Sequence, residues 1–155
     1  MTREQLTAEL VAWIQKTGLA GPIPPDRMRA MLSIGHFSQE MLGLLQCDDL
    51  ELVTTISVLE KMIFDHGLRA EHLCGLHGLI CQPEKIFKSA TRPDSSVVIM
   101  SLETLRARPI ILPIELGKRM SKGQPAVHWL SSGYAKDSQD IIARWKRDGL
   151  LIWER

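Results

Sequence analysis

Cysteine is scarce in this chain: Cys47, Cys74 and Cys81 are the only three. Three such residues supply no disulfide framework, so the fold must rest on its core, and a reducing, cytoplasmic setting is expected. Long apolar runs are missing too, which excludes a helical membrane span. The opening "MTREQLTAEL" lacks a basic stretch followed by an apolar core, so no secretory signal is expected, although a domain of a delivered protein would read the same way. No phosphate-cradling loop, nucleophile elbow or calcium-binding loop occurs. Internal repeats and low-complexity segments are absent as well.

What is present is ordinary globular material in one domain-sized length. The 155 residues are 45% hydrophobic and 24% charged, enough to bury a core without a staple. The net charge of +1 hides an asymmetry. Residues 1–82 hold 6 Lys+Arg against 10 Asp+Glu, whereas residues 83–155 hold 13 against 8. A basic second half points to a polyanionic partner there, against the plainer alternative of unevenly spread surface charge.

The first half patterns as helices. Thr2 and Gln5 have capping-box spacing, with Leu6, Leu10 and Ile14 as an apolar stripe. A short helix is expected to carry Met28, Met31 and Leu32, and another to open at Ser38 and run through Leu45. Leu52, Ile56, Leu59 and Ile63 suggest a helix capped by Asp48 or Asp49, and a further helix is expected over 70–80. The second half changes period: "KIFKS", "SVVIMSL", "PIILPIEL", "AVHWLSS" and "LLIWER" read as strands, with one helix in "SQDIIARWKRDG". Pro113 suggests an edge strand or a bulge in the third run. The expected class is therefore α+β: a helical N-terminal part, then a small, twisted, mainly antiparallel sheet with one late helix. Residues 1–48 would be a helical region of unknown role, and 49–155 an α+β domain with helices over 49–82 and sheet plus helix over 83–155.

Two constellations carry chemistry. In "HLCGLHGLIC", His72, Cys74, His77 and Cys81 are soft ligands within ten residues, but the spacing fits no zinc template and the cysteines lie on an apolar stripe. The other spans "SATRPDSS" and "SSGYAKD". Strand alternation puts His128 and Ser132 on one face, with Tyr134 following if the strand stays regular past Gly133, and Val127, Trp129 and Ser131 on the other. Arg92 precedes a proline, so it should be extended in a loop, free to reach a phosphate with both guanidinium nitrogens or to pair with Asp94.

Ser89, Arg92, Pro93, Asp94 and Ser95, then Ser132, Tyr134, Lys136 and Asp137, then Gly149, Leu150 and Leu151 resemble the C-terminal toxin-like domain of phage Mu F-type head proteins. The resemblance covers roughly residues 60–155. It implies a place in the barnase–EndoU–colicin–RelE ribonuclease fold group. The implied activity is metal-independent cleavage of RNA (tRNA among the possible targets) by 2′-hydroxyl attack, with no cofactor and with an immunity protein as partner. On that footing His128 or Lys136 would accept or donate the proton, and Ser132 and Tyr134 would position or protonate the scissile group. Arg92 and Lys88 would hold phosphate, with Asp94 and Ser131 beside them. Two other classes remain open: a catalytically silent module binding RNA, nucleotide or protein, and transfer chemistry on a nucleotide such as NAD.

Overall fold

A computed structural model describes residues 31–103 and 107–155. The helix expected from Leu6, Leu10 and Ile14 lies outside them. The described chain runs β1 (Met31–His36), α1 (Gln39–Leu45), β2 (Glu51–Thr55), α2 (Ile56–Phe64), α3 (Ala70–Cys74) and α4 (Leu76–Cys81). It continues through β3 (Lys85–Lys88), β4 (Ser96–Leu102), β5 (Pro109–Lys118), β6 (Val127–Leu130), β7 (Tyr134–Ala135), α5 (Asp140–Arg147) and β8 (Leu151–Glu154).

All eight strands join one sheet in the order β1-β2-β6-β5-β4-β3-β8, with β7 added to β5. Only β2 and β6 run parallel among these pairs, so the sheet is mainly antiparallel. Alternation sorts its side chains into two cores. Ile86, Val97, Ile99, Ile110, Leu112, Ile114 and Leu130 face α1, α2 and α4. Phe87, Val98, Met100 and Ile111 face α5, where Phe87 meets Trp145 at a ring separation of 5.5 Å. β4 is buried on both faces, which is why "SVVIMSL" shows no polar alternation.

Local chemistry sets the junctions. Ser38 Oγ accepts the Met41 N–H at 3.2 Å and opens α1. Thr55 ends β2 in extended conformation while its Oγ1 accepts the Val58 N–H at 3.3 Å, so strand passes into helix with no loop between. Gly133 lies hard against the first core: a Cβ there would stand 3.0 Å from Leu112 Cδ2 and from Met62 Cε. That contact lets the chain turn from β6 to β7 beneath α2.

The structure corrects several expectations. Residues 31–36 form a strand, with Leu32 and Ile34 alternating into the core, rather than the end of a short helix. Residues 51–55 form β2, so the helix expected from Asp48 or Asp49 starts only at Ile56. The helix expected over 70–80 is broken at Gly75 into α3 and α4. Pro113 is in the middle of the sheet: β4 pairs with β5 along its length, and the proline falls where the opposite partner changes from β6 (Ile114 with Leu130) to β7 (Ile111 with Tyr134). The missing N–H is tolerated at that changeover. The bulge lies further on, between Glu115 and Lys118.

Candidate functional site

The β3–β4 turn is fastened before it reaches the site. Ser89 Oγ accepts N–H bonds from Thr91 at 3.3 Å and Arg92 at 3.2 Å, and the Arg92 carbonyl accepts from Ser95 and Ser96. Arg92 is thereby held at the tip, and its guanidinium bonds the carboxylate of Glu115 on β5. Lys118 Nζ takes the other Glu115 oxygen at 2.9 Å. Arg92 does not pair with Asp94. These three charged groups, with Ser89, Ser96 and Ser131, line a cleft of about 370 Å³. Ser96 is buried, and among the described residues its Oγ has no hydrogen-bond partner.

The cleft lies on the same sheet face as the α5 core, beyond that helix. Ser96 and Glu115 share parity with Val98 and Ile111, which contact α5. Trp129 is the register partner of Glu115, so its side chain points to that face as well.

A second cleft of about 440 Å³ is lined by Asp65, His66, Arg108, Tyr134, Lys136 and Asp137. The Tyr134 ring meets the edge of His66 at 5.7 Å and carries Lys136 Nζ at 5.0 Å. Burial pushes the Tyr134 phenol above its ordinary range, so it stays protonated and can donate. Ser131 belongs to the first cleft and Tyr134 to the second, and three residues of chain span at most about 10 Å.

Behind the second cleft, Arg108 grips buried Glu103 through Nε at 3.0 Å and Nη2 at 2.8 Å, and its Nη1 lies 3.8 Å from Asp137. His72 Nε2 adds a contact to Glu103 at 3.3 Å. The Arg108 bonds hold the Glu103 carboxyl down at about 2, against the opposite pull of burial. A carboxyl whose value drops from 4.5 to about 2 on folding stabilises fully above pH 4.5, and that share is lost as pH falls toward 2. Urea unfolding is therefore expected to show a stability drop between pH 5 and pH 3 that is smaller in Glu103→Gln. Equal pH slopes for the two proteins would disprove the linkage.

The residues expected from sequence divide unevenly between these features. Arg92 and Ser131 line the first cleft, Tyr134 and Lys136 the second. Lys88 and Asp94 are exposed and line neither, and Ser132 is likewise outside both. His128 also lies outside both clefts. It is 1% exposed and shares parity with core residue Leu130, on the face opposite the first cleft. Its Nδ1 accepts the Gly117 N–H at 3.1 Å, so its Nε2 carries the proton and donates to the Asp48 carbonyl at 2.8 Å. Both nitrogens are thus committed, and the ring ties β5 to the chain before β2. His77 and His72 also diverge, His77 Nε2 meeting the His36 carbonyl at 2.6 Å and His72 serving Glu103. Among the described residues no cluster of three His, Cys, Asp or Glu could hold a metal. Glu115, Lys118 and Ser96 were not among the expected residues. The one available signal was a lone carboxylate inside an apolar strand run.

A family model, the phage MuF C-terminal domain, matches residues 57–154. No curated protein and no solved structure matches the chain. Among the described residues no helix is long and apolar enough to cross a membrane.

Proposed function

Because the chain belongs to the phage MuF C-terminal domain family, we propose that its first cleft is the site of a toxin-type, metal-independent ribonuclease. The observation that carries the reading is the carboxylate of Glu115 set between Arg92 and Lys118, beside the partnerless Ser96 hydroxyl. Cleavage by 2′-hydroxyl attack needs a base, an acid and cations for the phosphorane charge, and these groups supply all three. Glu115 takes the 2′-hydroxyl proton, the 2′-oxygen bonds to phosphorus, and the bond from phosphorus to the 5′-oxygen breaks. Lys118 protonates the leaving oxygen, and a 2′,3′-cyclic phosphate remains. Arg92 holds the non-bridging oxygens through its planar fork. Tyr134 and Lys136 offer further donors in the second cleft, where the RNA strand would continue. An immunity protein that masks Arg92 and Lys118 would silence the site.

The test is incubation of the purified chain with total tRNA and ribosomal RNA in EDTA, with product ends analysed. Discrete cuts with cyclic-phosphate ends are expected, falling at least about tenfold in Arg92→Ala. RNA left intact at high protein concentration would sink the reading. RNA retained on the protein without cuts, and released by Arg92→Ala, would instead identify a silent binding module of the same family.

A further inference from the structure

Three neighbouring strands place one residue each in a row across the sheet. Ser96 on β4 is in register with Glu115 on β5, and Glu115 with Trp129 on β6. Antiparallel partners point to the same face, and strands lie about 4.8 Å apart. Hydroxyl, carboxylate and indole therefore form a line about 10 Å long.

Among the described residues, both ends of the line lack a partner. Ser96 is 6% exposed, yet its Oγ bonds to none of the described residues, a rare condition for a buried hydroxyl. Arg92 and Lys118 line the same cleft, so a phosphate oxygen is an acceptor all three can share. At the other end Trp129 is part-exposed, and no ring or cation stacks on it among the described residues. Between them stands a carboxylate, the group that would meet a sugar hydroxyl.

We infer that this row seats one nucleotide of single-stranded RNA, with a phosphate oxygen on Ser96 Oγ, the ribose over Glu115 and the base stacked on Trp129. The inference rests on the ribonuclease reading for its chemistry, but not for its binding geometry. A base inside a duplex has both faces covered by its neighbours, so only an unpaired nucleotide can use the indole. Stacking is sequence-tolerant, so the seat selects strandedness more than base identity.

The test is calorimetric titration of the full chain with adenosine 5′-monophosphate, and with ribose 5-phosphate as the ligand lacking a base. Trp129→Leu is expected to weaken the nucleotide about tenfold or more and leave ribose 5-phosphate unchanged. Trp129→Phe, which keeps a π face, should restore most of that loss. Ser96→Ala is expected to weaken both ligands. Equal affinity for nucleotide and sugar phosphate, or unaltered nucleotide binding in Trp129→Leu, overturns the inference. A cleavage arm separates this outcome from failure of the enzyme reading. Base-dependent binding without any RNA cleavage removes the nuclease and keeps the seat. Equal cleavage of paired and unpaired RNA, unmoved by Trp129→Leu, removes the seat and keeps the nuclease.

Discussion

Glutamine at position 115 is expected to lower kcat for RNA cleavage by about two to four orders of magnitude, the range for loss of a positioned general base. The shape is preserved, but the amide cannot take a proton. Substrate binding should move the other way. Glu115 competes with phosphate for Arg92 and Lys118, so removing its charge frees both cations. KM is therefore expected to fall or stay level while kcat collapses, a split that general damage to the fold would not produce. Stability should change little, because Arg92 is 63% exposed and an ion pair in that setting contributes about 0–1 kcal/mol. Turnover of Glu115→Gln within threefold of the parent would rule out Glu115 as the base.

His128→Ala should give the reverse pattern. The substitution removes a buried ring and strands the Gly117 N–H on β5 and the Asp48 carbonyl on the connection before β2. Two orphaned groups and the cavity together should cost about 2–4 kcal/mol of stability, read from the urea midpoint at constant m-value. Under conditions where the variant remains folded, kcat should match the parent. Full stability with lost cleavage would return His128 to a catalytic role.

The contrast between these two residues shows what alternation along a strand can reveal by itself. In "AVHWLSS" it separated His128 from Trp129 and Ser131, and that separation holds. Which side faced the core could not be read, because Leu130 and Trp129 are both large and apolar, and only packing against α2 decides between them. Glu115 was hidden for a related reason. "PIILPIEL" is apolar on both faces, since β5 is covered by α2 on one side and by α5 over part of the other. Its bond to Arg92 joins residues 23 positions apart, through a register that no local pattern encodes.

The second-half strands and the late helix were legible because β-branched runs are bounded there by turn residues. The first half misled because Leu52, Ile56, Leu59 and Ile63 keep helical spacing across the strand-to-helix junction at Thr55. Leu52 faces the core from β2, and Ile56 and Leu59 face the same core from α2. The β-branched run of Val53, Thr54 and Thr55 was the evidence for a strand there. Met31 and Leu32 were misread in the same way, with Ile34 supplying the alternation that a helix would lack.

The row Ser96–Glu115–Trp129 also determines which changes in chain length the site can survive. Its members are neighbours through backbone ladders and not through sequence, so residues added in the connection after β5 leave the row aligned. A single residue gained or lost inside β4, β5 or β6 is different, since side chains alternate with a period of two. Such a slip would turn Glu115 inward and Ile114 outward, exchanging a site for a core in one step. The site therefore tolerates length changes in the loop after β5 far better than any change of strand length between the ladder bonds.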